Sequence, residues 1–274
     1  MSPIGVFDSG VGGITVLNAL KKTFPNENFL YLGDTARLPY GTKSPKTVLK
    51  YLTQNVNYLK HFDVKAIVVA CNSASTVLSG EQNFGVPLYG VIKPGAKAAY
   101  SATRNKRVGI LGTRTTVQSQ VYVKALREFD SDIFTVQQAC PLLVPLVEEG
   151  WESEEVTERI ISKYISPLKK HHIDTLILGC THYPVLKQTI QKIVGPEIKL
   201  IDSADAIAYD LANDIQQGFI ASSNESEGRI DMLATDDGDF FHKIASKLIS
   251  PHTINTWSMA DLRQTPAKRT YENV

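Results

Sequence analysis

Short apolar runs alternate with longer amphipathic ones along almost the whole chain. The short runs lie at residues 4–7, 29–32, 67–70, 87–92, 107–111, 133–137, 175–178, 199–201 and 230–234. Runs of this length, bounded by Gly, Pro, Asn or Asp, predict strands buried on both faces, as in parallel sheets. Helical spacing covers 14–22, 45–61, 116–128, 154–171, 207–219 and 240–248, and a further helix is predicted after Pro94-Gly95, ending near Ser101. Strand and helix in regular alternation imply parallel pairing through right-handed crossovers. The pattern restarts near Arg107, and the second set of elements matches the first in order. The expected fold class is therefore α/β, with two pseudo-symmetric parallel-sheet domains and a cleft between them. The first domain is predicted to be discontinuous, 1–93 plus 207–274, because the elements after 207 are too few for a third unit. The second is predicted to span 94–206. The last ten residues read as weakly ordered.

Two strand ends carry the chemistry. The run KAIVVACNSAS ends in Cys71, Asn72 and Ser73, and TLILGCTHYP ends in Cys180, Thr181 and His182. Ligands of open α/β sheets bind at the carboxyl ends of the strands. A thiol titrates near neutrality with modest help from an imidazole or from backbone N–H groups. Such a group serves as base or acid at little cost in either direction. Two of them in matching halves address opposite faces of one planar carbon, which suits stereoinversion. The first strand leads into Asp8-Ser9-Gly10-Val11-Gly12-Gly13, a Gly-rich turn before a helix, suited to a carboxylate or other anion.

Composition narrows the setting. The chain has 274 residues, a net charge of +1 and 43% hydrophobic residues, so no global field selects nucleic acid or an anionic surface. Three cysteines argue against a disulfide framework and for a reducing compartment. With no leader pattern and no run of membrane-spanning length, a cytoplasmic protein is expected. Cys140, between Ala139 and Pro141, reads as a small core hydrophobe. No CxxC or HxxxH spacing is present, so no metal site is expected. No lysine stands in a pyridoxal-like setting. His171 and His172 read as solvated at a helix end, and Arg37 as paired with Asp34 in a loop.

The motifs FDSGVGG, GDTARLPYG, VACNSAS, KPGA, CPLLVPLVEEG and GCTHYP together resemble those of the bacterial glutamate racemases, in order over nearly the whole chain. The resemblance implies a cofactor-independent enzyme that interconverts L- and D-glutamate for peptidoglycan synthesis. It implies Cys71 as the base toward D-glutamate, Cys180 as the base toward L-glutamate, and Asp8 and His182 as their auxiliary groups. Ser9, Pro39, Tyr40, Gly41, Asn72, Ser73, Thr181 and His182 match substrate-contact positions, with Asp8 among them. Glu149 matches an acidic position near the histidine. A homodimer is compatible with the resemblance; a nucleic-acid or membrane partner is not expected. Ser73 departs from the threonine usual there, which keeps the hydroxyl and loses a methyl. The chain starts close to its first strand, so activation through an N-terminal extension by a cell-wall precursor is not expected.

Each residue also has a plainer reading. Asp8, Ser9, Asn72 and Thr181 are residues that cap helices and form turns, His182 would serve as a structural hydrogen-bonder, and Tyr40 as core. A racemase for aspartate would share the same logic. A phosphate or nucleotide binder built on Asp8–Gly13 is disfavoured, because no Lys-Ser, Lys-Thr or GxGxxG follows. A non-catalytic interaction protein would not need both thiols.

Overall fold

The computed structural model describes residues 2–78, 82–222, 227–236 and 238–266. The first half contains β1 (Ile4–Asp8), α1 (Ile14–Thr23), β2 (Phe29–Gly33), α2 (Pro45–Lys60), β3 (Ala66–Val69), α3 (Asn72–Ser75), β4 (Leu88–Gly90) and α4 (Ile92–Ala102). The second contains β5 (Arg107–Gly112), α5 (Arg114–Ser119), α6 (Val121–Phe129), β6 (Phe134–Ala139), α7 (Leu143–Glu148), α8 (Glu155–Lys169), β7 (Thr175–Gly179), α9 (Lys187–Val194) and β8 (Lys199–Asp202). The chain then returns through α10 (Ser203–Gln216), β9 (Ile230–Ala234), α11 (Asp239–Ile249) and β10 (Thr256–Met259).

Among the described residues two sheets result, with strand orders β10-β9-β2-β1-β3-β4 and β6-β5-β7-β8, and every pairing in them is parallel. The inner order is the same in both: the second strand of each half, then the first, the third and the fourth. The topological match expected from the sequence is present, and β9 and β10 extend only the first sheet. In the central strands β1, β2, β3 and β7 every residue is buried. Alternate residues face opposite cores, as the pleat requires. Ile4, Val6, Tyr31 and Val68 belong to one cluster with Ala204, Ile207 and Leu211 of α10. Phe7, Leu30, Leu32 and Val69 belong to another, beneath α2. Ile92, Ala96 and Ala99 of α4 pack with Val108 and Ile110 of the second sheet.

Several boundaries differ from the expectation, for local reasons. Helix α4 runs through Pro94 and Gly95 instead of starting after them. Pro94 sits in its first turn, where no intrahelical N–H is owed. Helix α10 starts at Ser203, four residues earlier than its apolar spacing suggested, because the Asp202 carboxylate accepts from Asp205 N at 3.1 Å and caps it. The helix expected over 116–128 is two helices, since Gln120 adopts a left-handed φ of 58° between them. Helices α7 and α9 and strand β10 were not read from the sequence. Most of the weakly ordered tail expected at the end lies outside the described residues.

Candidate active site

The carboxyl ends of the two sheets face one cavity of about 270 Å³. Ser9, Pro39, Tyr40, Gly41, Cys71, Asn72 and Ser73 line it from the first half. Cys180, Thr181 and His182 line it from the second, with Thr113 and Glu148. A volume of this order holds one small amino acid. Of the residues singled out in the sequence, Asp8 lies directly behind this wall and Glu149 lies outside it.

Cys71 follows β3 and caps α3. Its sulfur accepts the Ala74 N–H at 3.4 Å, and the thiol donates toward Ser9 Oγ at 3.6 Å. Burial pushes the thiol well above its ordinary range, and the negative charge of Asp8 adds to that; the contacts from Ala74 and Ser9 offset only part. Cys71 therefore rests protonated. Asp8 is fully buried at the end of β1. Gly10 N donates to its Oδ2 at 2.9 Å, and Thr181 Oγ1, from the other half, donates to its Oδ1 at 3.3 Å. Burial raises the Asp8 carboxyl, while the His182 charge and the N–H groups of Gly10 and Gly13 pull the other way.

The Cys180 side is built differently. His182 Nδ1 lies 3.9 Å from the Cys180 sulfur, and its Nε2 lies 3.0 Å from Glu148 Oε1. Burial alone would lower His182, but its hydrogen bonds to Cys180 and Glu148 win and hold it up at about 10. The ring is thus an imidazolium at neutral pH, with both nitrogens donating. One proton points at the sulfur and the other at the carboxylate. The first half reaches into this group as well. A Cβ on Gly12 would lie 2.4 Å from His182 Nδ1 and 2.5 Å from Thr181 Oγ1. Only glycine lets the turn after β1 approach the ring that closely.

The acidic partner is Glu148, and this corrects the expectation of Glu149. Glu148 is the last residue of α7 and Glu149 caps it, but successive helical residues point about 100° apart. Glu148 faces the cavity, whereas Glu149 is exposed. Adjacent identical residues cannot be separated without the helix phase.

Further contacts join the halves around the cavity. Ser73 Oγ and Thr113 Oγ1 are 2.9 Å apart, so the hydroxyl kept at Ser73 makes a contact across the cleft. Thr115 Oγ1 donates to the carbonyls of Tyr40 and Lys43 at 3.3 and 3.2 Å. Thr15 Oγ1 donates to the Thr181 carbonyl at 2.9 Å. Tyr40 is fully buried and its hydroxyl donates to Asp34. Asp34 also pairs with Arg37, as expected, through a contact of 2.6 Å. Thr113 was not singled out, although a signal existed: it follows the first strand of the second half, as Ser9 follows β1 in the first.

Residues 14–211 match the model of the Asp/Glu/hydantoin racemase family. The glutamate racemase of Geobacter metallireducens is 43% identical over 248 residues, covering 90% of this chain and 92% of that protein. A glutamate racemase isoform from Bacillus anthracis superposes with a TM-score of 0.90 at 37% identity, covering 95% and 98% of the two chains. The glutamate racemase of Francisella tularensis, solved with D-glutamate, gives 0.88 at 31% identity over 95% and 98%. No helix among the described residues is long and apolar enough to cross a membrane.

Proposed function

The chain belongs to the Asp/Glu/hydantoin racemase family, and on that premise we propose that it interconverts L- and D-glutamate by proton transfer between two cysteines. The observation that carries this reading is one cavity lined by two thiols from different sheets, each with its own proton-handling neighbour. Glutamate is favoured over aspartate because the similar proteins named above are glutamate racemases.

The chemistry follows from the two environments. Cys180, 3.9 Å from the His182 ring, is placed to remove the α-proton of L-glutamate. Cys71, held as a thiol by burial and by Asp8, stands ready to protonate the opposite face. The S–H bond of Cys71 breaks as the new Cα–H bond forms, and the proton taken from the substrate remains on Cys180. The product leaves the two thiols with their protons exchanged. Return to the starting state is the net loss of one proton from Cys180 and the net gain of one at Cys71, by exchange with solvent. His182 can take up the Cys180 proton only after giving up its own, and Asp8 stands beside Cys71 for the opposite transfer. The reverse reaction uses the same groups in opposite roles. A carbanion at Cα needs fixed donors around the α-carboxylate. The N–H groups after Cys71 and Cys180 and the hydroxyls of Ser9, Ser73 and Thr181 are the candidates. The three cysteines are free, which suits a reducing cytoplasm. Supply of D-glutamate for peptidoglycan is the role that follows.

Incubation with L-glutamate in D2O, without added cofactor, tests the reading, with L-aspartate in parallel. The expected result is loss of optical rotation with deuterium at the α-carbon of the product. Exchange of aspartate alone would keep the mechanism and change the substrate. No exchange of either, from folded and reduced protein, would refute it.

A further inference from the structure

Asn72 stands at the start of α3, directly after Cys71, and is 2% exposed. Its Oδ1 accepts the Tyr122 hydroxyl at 2.7 Å and the Ser203 hydroxyl at 3.3 Å. The two hydroxyls are 3.0 Å apart. The amide nitrogen, Nδ2, is buried with no hydrogen-bond partner among the described residues, and Asn72 lines the cavity. A buried N–H pair without an acceptor is costly, and natural proteins rarely leave one. A carboxylate is an acceptor-only group and would satisfy it. Turned the other way, the amide would set its oxygen against that carboxylate.

Tyr122 comes from α6, in the other half, and is fully buried. Its ring lies against the end of β7: a Cβ on Gly179 would be 3.0 Å from Tyr122 Cε2 and 2.7 Å from the Leu111 carbonyl. Gly179 directly precedes Cys180. On its other side the ring meets Gly95 of the KPGA stretch, where a Cβ would sit 3.3 Å from Cε1. One side chain thus rests on the strand that presents the second thiol and bonds the residue that follows the first. Burial keeps its phenol neutral, and so a donor.

We propose that Tyr122, assisted by Ser203, is a positioning residue that holds the Asn72 amide with its NH2 toward the substrate carboxylate and ties that orientation to the strand carrying Cys180. The proposal rests on the racemase reading above. It gives the tyrosine of α6 and the first residue of α10 a role in substrate binding without contact with the substrate.

The test is a double-mutant cycle on glutamate racemisation, measured in both directions with melting temperatures in parallel. Tyr122→Phe removes one hydroxyl and keeps the ring on Gly179. Its KM should rise about five- to tenfold in both directions, the loss of one oriented hydrogen bond, with kcat within about threefold. In an Asn72→Ala background, followed by α-deuterium exchange, the same change should alter KM by less than about twofold, because no amide is left to orient. Ser203→Ala should show the same dependence on Asn72 with a smaller rise, and it decides the matter where Tyr122→Phe does not fold. An unchanged KM in Tyr122→Phe overturns the proposal and leaves the racemase reading intact. Equal losses with and without Asn72 identify a packing role and also overturn it. A wild-type protein inactive on glutamate and aspartate overturns both.

Discussion

Replacing Glu148 by Gln should change how the protein responds to pH before it changes how it folds. In the wild type, His182 is held up at about 10 by Cys180 and Glu148 against the opposing effect of burial. Gln keeps the length of the side chain and removes the charge. Hydrogen bonds to charged groups contribute about 1.5–3 kcal/mol, and 1.36 kcal/mol corresponds to one pH unit. The His182 titration should therefore fall by about one to two pH units, to about 8 to 9. Near pH 7 the ring stays charged, and kcat/KM should drop only a few fold. Above pH 8 the variant should lose activity that the wild type retains, because the neutral ring no longer supplies a proton beside Cys180. The assays are pH profiles of kcat/KM for both enantiomers and NMR titration of the His182 ring. Glu149→Gln is the control and should match the wild type throughout, since Glu149 is exposed. A profile moved by Glu149→Gln and untouched by Glu148→Gln would refute the reasoning.

Three further outcomes follow from the same geometry. Gly12→Ala places a methyl 2.4 Å from His182 Nδ1; the resulting displacement should cost about 1–3 kcal/mol of stability and at least about tenfold in kcat/KM, and wild-type turnover would contradict it. Thr115→Val removes the donor to the Tyr40 and Lys43 carbonyls, so KM should rise about three- to tenfold with kcat nearly unchanged, from the loss of about 0.5–1.5 kcal/mol; steady-state kinetics with a melting curve decide it. Stability should fall between pH 7 and 10. The folded His182 value, about 10, lies above its ordinary 6.5, so its contribution is complete below 6.5 and lost as the pH rises through 10. Buried Cys71, raised above its ordinary 9.0, acts with the same sign once the unfolded chain can release its proton. Urea midpoints under reducing conditions that stay level or rise over that range would count against both assignments.

Much of this protein was legible in one dimension. Both buried-strand runs, IVVA before Cys71 and LILG before Cys180, announce themselves because a central parallel strand is apolar on both faces. The reactive groups follow those runs directly, so strand-end chemistry could be read without coordinates. The parallel sheets and the shared cavity were expected from the repeated pattern, whereas the order of strands within each sheet was set by the tertiary structure. What stayed hidden depends on phase or on distance through space. Glu148 and Glu149 are adjacent identical residues, and only the turn of α7 decides which one meets His182. Thr113, Thr115 and Tyr122 lie far along the chain from Ser73, Tyr40 and Asn72, yet touch them across the cleft. Such contacts leave no local periodicity to read. The protonation states of Cys71 and His182 belong to the same class. The chain determined that two thiols would stand at the ends of two strands; burial and the charges facing each one, set only when the two sheets close on a common cavity, decided that one rests as a thiol beside a carboxylate and the other beside an imidazolium.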